Sequence, residues 1–559
     1  MFRHYSVEML LDVKVAMRDG VNLSADIYRP KAAGSFPAVL IRTPYNNNLE
    51  DLIRKAHRLA NAGYVCILQD VRGRWDSEGR FQPFHNEATD GFDTQEWIGK
   101  QSWSNGKIGM SGASYLGCVQ WLSAPLRSEY LTCIAPRVMC NDYFNGLLYP
   151  GGAFHLNVAI TWGMRSRART AQTIDFHNWT EAFRHLPIAD MATTAGDDVD
   201  FWNDWIEHST DDDYWAAINV EERFHEIGVP ALEMGGWYDL YAKDSFRNFN
   251  GLREKGCTPE ARRGKLIIGP WPHRLSHCTC TGDVDFGANS MVDLEDVEQR
   301  WFDYWLKGVD NGILNEPPIR LFIMGINEWR DEHEWPLART DWQTWYLHSD
   351  GSANTVRGDG TLTLEAPDHE PSDSYVYDPH FPVQTVGGAN CCSPDIVPWG
   401  PYDQRPVEMR SDVLCFTGPE LQEDFEVTGP IEAIIYAATN ARDTDWTVKL
   451  VDVSPSGYAM NLCDSIVRAR YRESLSSPTL IEPGKVYEYR IDVGVTGNVF
   501  RKGHRIRIEV SSSNFPRFDR NPNTGNPFGK DSELRVAHQS VHHSQTYPSR
   551  IVLPVIPTT

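Results

Sequence analysis

One short segment of the sequence has the residue types and spacing of a nucleophilic serine. Residues 107–110 are typical of a buried strand, Gly112-Ala-Ser114 of a tight turn, and the residues that follow recur near helical spacing. Strand, turn and helix in this order hold a serine clear of the backbone at a helix N-terminus, where free amides favour an oxyanion. Leu116 stands where such turns usually carry their last glycine, which comes one residue later as Gly117. An ordinary helix-capping serine is therefore the alternative interpretation.

Two later loops supply the base and the carboxylate that a serine nucleophile requires. A serine hydroxyl reacts poorly until a histidine, oriented by a carboxylate, removes its proton. Asp239 follows the apolar run 229–234, and His273 follows the run 265–268. If both runs are strands of one parallel sheet, their carboxyl ends lie at the same edge as Ser114. The sequence therefore predicts a triad of Ser114, Asp239 and His273, although each residue taken singly also fits an ordinary loop.

The elements that must position these residues begin with an α/β pattern. Short apolar runs bounded by glycine, proline and polar residues are typical of strands buried on both faces of a parallel sheet; they lie at 36–41, 64–69, 107–110, 132–135, 229–234 and 265–268. The long interval before residue 229 contains helix-like segments and no convincing strand. An insertion of this length between sheet strands usually has a function, and it predicts a helical cap.

The last part of the chain has a different pattern. Beyond about residue 345, apolar and polar residues alternate, as in residues 487–493, and turn-forming residues separate the runs. This predicts a two-sheet sandwich of jelly-roll type. We therefore expect an α/β domain of residues 1–145 and 229–345, a helical cap of residues 146–228 and a jelly-roll β-sandwich of residues 346–559.

Composition limits the class of protein and its partners. The 559 residues are 41% hydrophobic and 23% charged, which is ordinary for a globular protein. A formal net charge of −23 repels phosphate backbones and anionic lipid surfaces, so we expect neither nucleic acid nor a membrane as a partner. The sequence has no apolar run of about 18 residues and no signal-peptide pattern. Eleven scattered cysteines, an odd number, favour the reducing cytoplasm.

Further motifs are spread along nearly the whole chain: Met17-Arg-Asp-Gly20, Arg42-Thr-Pro-Tyr45, Gln69-Asp-Val-Arg-Gly73, Gly112-Ala-Ser-Tyr-Leu-Gly117, Gly236-Trp-Tyr-Asp239, Gly269-Pro-Trp-Pro-His273, Asp403-Gln-Arg405 and the segment from Ser511 to Asn521. With these motifs the sequence resembles the bacterial cocaine esterases and their relatives, the α-amino acid ester hydrolases and X-prolyl dipeptidyl peptidases. Only the cap, roughly residues 165–210, resembles the cocaine esterase weakly.

The resemblance implies an α/β-hydrolase domain, a helical cap and a C-terminal jelly roll, with Ser114, Asp239 and His273 as the triad. It places the oxyanion hole at the Tyr45 hydroxyl and the Tyr115 amide. Ser114 would attack the carbonyl and form an acyl-enzyme that water hydrolyses, so no metal or organic cofactor is expected. The resemblance also raises a homodimer as an expectation.

The same resemblance directs attention to the substrate. Positions lining the acyl pocket of the cocaine esterase correspond to Leu147, Trp162, Tyr241, Cys391 and Cys392, of which Trp162 matches. No acidic residue follows Asp239 closely, which disfavours the amino acid ester subgroup, and there is no room before Met17 for the added N-terminal domain of the prolyl peptidases. We therefore expect a small-molecule ester with a small or aromatic acyl group, held between Trp162 and Tyr241.

Three alternatives remain at this point. The same site could cleave amides or peptides, which the sequence does not distinguish from esters. A cluster of His273, His277, Cys278 and Cys280 could ligate zinc, but it lacks the spacing of a known zinc motif. A binding module without catalysis would leave the triad unexplained.

Overall fold

In the computed structural model, which describes residues 4–175, 177–196 and 198–557, ten strands form one mixed sheet. The strands of the first 332 residues are β1 (Val7–Ala16), β2 (Asn22–Pro30), β3 (Phe36–Thr43), β4 (Val65–Asp70), β5 (Ser104–Ala113), β6 (Leu131–Arg137), β7 (Leu232–Tyr238), β8 (Lys265–Pro272), the separate pair β9 (Cys280–Thr281) and β10 (Val284–Asp285), β11 (Ile319–Ile323) and β12 (Glu328–Glu332). Their order across the sheet is β1-β2-β4-β3-β5-β6-β7-β8-β11-β12.

The centre of this sheet is parallel, as the apolar runs predict. Neighbouring strands from β4 through β11 run parallel, whereas β1, β2 and β12 are antiparallel to their neighbours. Every residue of β4, β7 and β8 is buried, because helices cover both faces of a parallel sheet. This arrangement confirms the predicted α/β class.

The helices in the described residues are α1 (Glu50–Asn61), α2 (Glu87–Gly99), α3 (Tyr115–Ser123), α4 (Leu156–Ser166), α5 (Trp179–Ala182), α6 (Met191–Thr194), α7 (Trp202–Glu207), α8 (Asp213–Ala216), α9 (Ala242–Lys255), α10 (Leu294–Lys307) and α11 (Arg405–Glu408). Helix α10 shows how local sequence sets a boundary: the Asp293 carboxylate accepts from the Glu295 and Asp296 amides, and Gly308 ends the helix at φ 71°. Among the described residues, no helix has the length and apolar character needed to cross a bilayer.

Helices α4 to α8 all lie between β6 and β7. The described residues of the interval 138–231 form helices and turns but no strand, in agreement with the helix-like segments of the sequence. The interval is rich in buried aromatic side chains, including Trp202 and Trp205 of α7, which are 2% and 1% exposed. These buried aromatic side chains pack the inserted helices against the rest of the protein.

The remaining strands build an all-β C-terminal part. They are β13 (Asp341–His348), β14 (Thr361–Thr363), β15 (Asp373–Tyr377), β16 (Leu414–Thr417), β17 (Phe425–Thr439), β18 (Asp445–Val453), β19 (Ala459–Arg468), β20 (Tyr487–Phe500), β21 (Arg505–Ser511), β22 (Ala537–His542) and β23 (Arg550–Ile556). In β20 the apolar residues Tyr489, Ile491 and Val493 are buried and the charged residues between them are exposed, as the period-two pattern predicts.

The two predicted sheets of this part are not separate, because all eleven strands join one hydrogen-bonded system. The 15-residue strand β17 pairs with β20, β22 and β23. A register shift between Ile431 and Glu432 interrupts its pairing with β20, and long strands with such bulges can serve two sheets. The C-terminal part also meets the first sheet directly, since the Met324 amide donates to the Gly497 carbonyl at 2.9 Å.

Candidate active site

Ser114 lies in a strained turn between β5 and α3. Its φ and ψ are 58° and −126°, a region that few residues other than glycine adopt. Gly112 makes the turn feasible, because a Cβ there would lie 2.3 Å from the Cβ of Leu116. The last glycine of the turn motif stands at position 117 and not at position 116, and the structure gives a reason for this. A Cβ at Gly117 would come within 3.0 Å of the Arg137 carbonyl oxygen. At position 117, α3 therefore lies too close to the end of β6 for a larger side chain to fit without movement.

His273 and Asp239 come together at the ends of β8 and β7. The His273 Nδ1 atom lies 2.8 Å from Asp239 Oδ1, and both side chains are largely or fully buried. With Nδ1 donating to the carboxylate, Nε2 is left as the basic nitrogen of the ring. Tyr241 packs edge-on against the imidazole, with ring centroids 5.8 Å apart. The pair has the geometry of an oriented general base.

The Tyr45 hydroxyl lies beside Ser114, just beyond the end of β3. It accepts a hydrogen bond from the Trp162 indole nitrogen at 2.9 Å, and the neighbouring Ser114 side chain also acts to lower its pKa. Burial raises the pKa of the Tyr45 hydroxyl above its ordinary value, although the Trp162 hydrogen bond partly opposes this. Tyr45 therefore remains a protonated O–H donor across the neutral pH range.

Arg74 fixes the loop that carries Tyr45. Its guanidinium donates to the Pro44 carbonyl and to the Ser166 carbonyl at the end of α4, both at 2.9 Å. The Trp75 indole donates to the same Pro44 carbonyl at 3.2 Å. Burial lowers the pKa of Arg74 to about 10, which still leaves it charged at neutral pH. The tyrosine loop is thus tied to both the sheet and the inserted helices.

Tyr115 occupies the first position of α3, where a backbone amide has no acceptor within the helix. Its side chain is anchored away from the turn: the hydroxyl accepts from the Phe84 amide at 3.0 Å and donates to Glu87 at 2.9 Å. Glu87 forms a buried ion pair with Arg42 at 2.7 Å. This network leaves the Tyr115 amide beside Ser114 as a second donor for an oxyanion.

Ser114 lies in a cavity that is open to solvent and that holds about 410 Å³ of space, its mouth included. It is lined by Tyr45, Ser114 and Tyr115 and by all five residues predicted for the acyl pocket, Leu147, Trp162, Tyr241, Cys391 and Cys392. The sequence did not indicate the other lining residues, Phe84, Met139, Leu148, Val158, Ala159 and Trp205. The lining is mostly apolar, as is typical of small-molecule sites.

Cys391 and Cys392 form part of the cavity wall and are joined by a disulfide. A ring nitrogen of His273 and the two sulfurs all lie within 4.8 Å of one another. Two members of the zinc cluster considered from the sequence, Cys278 and Cys280, are exposed free cysteines. The Cys278 thiol donates to the Cys280 carbonyl at 2.7 Å.

A serine in a strained strand–helix turn, with a histidine–carboxylate pair at the neighbouring strand ends of a mostly parallel sheet, defines the class of α/β-hydrolase serine enzymes. Residues 19–274 match the model of the X-Pro dipeptidyl-peptidase (S15) family, and residues 311–552 match that of the X-Pro dipeptidyl-peptidase C-terminal non-catalytic domain. The cocaine esterase of Rhodococcus sp. is 38% identical over 99% of both chains. The chain belongs to this cocaine esterase-like family and is a serine esterase.

Two solved structures share the fold over essentially the whole chain. An aminopeptidase from the marine sediment archaeon Thaumarchaeota archaeon superposes with a TM-score of 0.86 at 27% identity, covering 100% of this chain and 97% of its own. An α-amino acid ester hydrolase superposes with a TM-score of 0.83 at 26% identity, covering 99% and 97%. These likenesses agree with the predicted family and with its combination of an α/β-hydrolase domain and a β-rich C-terminal domain.

Proposed function

We propose that the enzyme hydrolyses uncharged carboxylic esters with small or aromatic acyl groups, using Ser114, His273 and Asp239 as its triad. The observation that carries the proposal is the surroundings of Ser114. Its strained turn presents the hydroxyl to Tyr45 in an apolar cavity. A serine with only a structural role at this position would not require the strained backbone conformation of Ser114.

The proposed reaction gives each of these groups one role. His273 Nε2 removes the Ser114 proton, Asp239 holds the imidazole orientation, and the serine oxygen attacks the ester carbonyl. The Tyr45 hydroxyl and the Tyr115 amide donate to the oxygen that becomes negative. His273 then protonates the departing alcohol, and water releases the acid from the acyl-enzyme by the same steps in reverse order.

The cavity lining supports the substrate class. No Asp, Glu, Lys or Arg is among the residues that line it in the described part of the chain, so a charged acyl group would be desolvated without a partner. The Trp162 ring lies nearly parallel to Tyr115 and Phe84, at centroid distances of 6.0 and 6.2 Å. A flat or short acyl group fits between such rings and Tyr241.

The decisive experiment is a scan of p-nitrophenyl esters, from acetate and butyrate to benzoate, with Ser114→Ala as the blank. We expect turnover by the wild type and a loss on the order of 10⁴-fold or more in Ser114→Ala. A sulfonyl fluoride should label Ser114, as read by peptide mass spectrometry, and Trp162→Ala should change the ranking of acyl groups. Retained activity in Ser114→Ala contradicts the triad, and an unchanged ranking contradicts the pocket.

Amide hydrolysis by the same site is a second candidate, because the archaeal aminopeptidase shares the fold so closely. The two reactions differ in the leaving group, which in an amide must be protonated before it departs. An ester and an anilide with one common acyl group separate them. Faster cleavage of the ester supports the main proposal, and comparable rates support the amidase.

We further propose a cytoplasmic location and a homodimer. Nine of the eleven cysteines are free, and six of these are buried, which suits a reducing compartment. Light scattering of the purified protein measures the oligomeric state, and fractionation of the source cells measures the location.

A further inference from the structure

The disulfide wall of the cavity faces the proposed catalytic base. One ring nitrogen of His273 and the sulfurs of Cys391 and Cys392 lie within 4.8 Å of one another. His273 Nδ1 is engaged by Asp239, so Nε2 is the nitrogen free to bind a ligand. Cys391 is 2% exposed, and both cysteines line the same cavity as Ser114.

We propose that reduction of the Cys391–Cys392 disulfide creates an inhibitory site for a thiophilic divalent cation such as Zn²⁺, bound by both sulfurs and by His273 Nε2. Two thiolates and one imidazole are a preferred ligand set for Zn²⁺, with water as the fourth ligand. A cation bound to Nε2 removes the lone pair that accepts the Ser114 proton. The inhibition therefore rests on the proposed role of His273, whereas the binding does not.

Reduction lets the two sulfurs reach the spacing that this cation needs. At a Zn–S distance of about 2.3 Å, tetrahedral coordination places two sulfurs roughly 3.8 Å apart, so the sulfurs now joined in the disulfide must separate while staying beside His273. Breaking the sulfur–sulfur bond releases both side chains for this adjustment. Cys392 has a φ of 76°, a left-handed conformation that turns the chain so that two consecutive side chains reach the same cavity.

Asp239 provides an independent reason for His273 to act as a ligand. Histidines that bind zinc usually donate their other ring nitrogen to a carboxylate, which fixes the tautomer and makes the ligating nitrogen more basic. The 2.8 Å hydrogen bond from His273 Nδ1 to Asp239 has this arrangement. The contact that orients a general base thus also prepares a metal ligand.

The chemistry balances when a dithiol reductant is included. The reductant transfers two electrons and two protons to the disulfide, yielding two cysteine thiols and its own disulfide. Zn²⁺ then displaces one proton from each thiol as the two sulfur–metal bonds form. Removing the metal with a chelator and reoxidising the two thiols restores the Cys391–Cys392 disulfide.

The test compares oxidised enzyme with enzyme reduced by dithiothreitol and freed of reductant under nitrogen. Alkylation and mass spectrometry count the released thiols on the peptide containing residues 391 and 392. Zinc binding is measured by equilibrium dialysis, on the wild type and on Ser114→Ala, and ester hydrolysis is measured with and without Zn²⁺. Binding of Co²⁺ provides a spectroscopic measure, since thiolate ligands give an intense charge-transfer absorption.

We expect the reduced enzyme to bind one zinc ion more than the oxidised enzyme. With Zn²⁺ present, the reduced enzyme should lose about 100-fold or more of its activity, because the metal blocks the general base. A chelator should restore that activity. Reduced Cys391→Ser/Cys392→Ser should lose the extra zinc and the charge-transfer band, and its own rate should not respond to Zn²⁺. The matched control Cys278→Ser/Cys280→Ser removes two exposed thiols and should respond to Zn²⁺ like the wild type.

The inference is overturned if dithiothreitol fails to release the two thiols or if the reduced enzyme binds no extra zinc. Equal inhibition of oxidised and reduced enzyme, or undiminished zinc sensitivity in the Cys391→Ser/Cys392→Ser variant, overturns it as well. Zinc binding without inhibition also overturns it. A failure of the proposed function is seen separately, as absent ester hydrolysis before any metal is added.

Discussion

The indole of Trp162 and the hydroxyl of Tyr45 are 117 positions apart in the chain, and the hydrogen bond between them sets the direction of the tyrosine proton. A phenol has one hydrogen to donate. Because its oxygen accepts from Trp162, that hydrogen is left to point at Ser114 and at a developing oxyanion. In the proposed function, Trp162 thereby combines a wall of the acyl pocket with control of an oxyanion donor.

Removing the Tyr45 hydroxyl should therefore impair the reaction more than substrate binding. We expect Tyr45→Phe to reduce kcat by about 10²- to 10³-fold with little change in KM, as for other lost oxyanion donors. Trp162→Phe keeps an aromatic wall but removes the indole donor, and its kcat should fall less. Steady-state kinetics on one p-nitrophenyl ester measures both. A Tyr45→Phe enzyme with wild-type kcat would exclude Tyr45 from the oxyanion hole.

Which residues could be predicted from the sequence depends on how local their signals are. Ser114, Asp239 and His273 each follow an apolar strand directly, so strand runs and chain order were enough to bring them together as candidates. Trp205 and Phe84 line the same cavity without any such signal. Their direction depends on how the inserted helices pack, and no local spacing encodes that.

Among the elements, the turn from β5 to α3 depends most strictly on residue type. Gly112 has a φ of 144°, and a methyl group there would overlap the Cβ of Leu116. We expect Gly112→Ala to lower the free energy of unfolding by about 1–3 kcal/mol, because such overpacking forces the backbone to shift. A serine displaced by about 1 Å should also lose roughly 100-fold in kcat.

Gly163→Ala is the matched control for this prediction. Gly163 lies within α4, where an added Cβ would have its closest neighbour at an ordinary 3.6 Å. Alanine is favoured over glycine inside a helix by about 0.5–1 kcal/mol, so this variant should be at least as stable as the wild type. Thermal unfolding and ester turnover are measured on both. Equal losses in the two variants would show that the turn has no special requirement for glycine.

Strand β4 ends at a carboxylate whose protonation should couple stability to pH. Burial raises the pKa of Asp70 from 3.8 to about 7. Because the folded pKa is above the unfolded pKa, Asp70 lowers the free energy of unfolding progressively as pH rises from about 4 to about 7. Asp70→Asn keeps an acceptor for the Asn47 amide, which is 2.8 Å away, and remains neutral. The melting temperature of Asp70→Asn minus that of the wild type should therefore increase from pH 5 to pH 8.

Asp19 supplies a control of opposite sign. Its hydrogen bond from Arg72 lowers the pKa of this exposed carboxyl, so its stabilising contribution is present at neutral pH and is lost as pH falls through the folded pKa. Asp19→Asn should become less stable relative to wild type as pH rises. Parallel pH trends in the two variants would contradict the assignment of Asp70 as an acid whose pKa is raised by burial.

The apolar runs did not reveal the outer strands of the first sheet, β1 and β2 on one side and β11 and β12 on the other. Strand β1 is mostly exposed, with Leu11 61% exposed, and its register slips between Leu10 and Val13. A strand with little buried surface has no apolar run to mark it. The parallel strands β3 to β8 were predictable because burial on both faces favours continuously apolar sequences.

On the scale of the whole molecule, buried charges join the inserted segment to the C-terminal β part. Asp519 accepts from the Phe154 amide at 2.9 Å and from Arg468 at 2.7 Å. Arg468 also holds Asp445 through two hydrogen bonds of 2.9 Å. All three ionised side chains are buried, so each depends on the others for compensation.

Asp519→Ala should consequently destabilise the whole chain. Removing one partner of a buried ion pair costs about 3–5 kcal/mol, and the remaining contact of Arg468 with Asp445 places the expected loss near the lower value. The control is Lys485→Ala, which removes an exposed pair with Glu482 and should change stability by about 0.5 kcal/mol or less. Thermal unfolding compares the two. Similar melting temperatures would mean that the Asp519 junction does not hold the parts together.

The cavity wall at Cys391 and Cys392 has a consequence for the order in which the enzyme is synthesised. A ribosome completes Ser114, Asp239 and His273 well before it adds the cysteines, which come more than one hundred residues later. At roughly 5–20 residues per second, this leaves several seconds in which the triad residues exist without a closed pocket. On the proposed function, a nascent chain therefore cannot select among acyl groups as the full chain does until residues 391 and 392 have emerged.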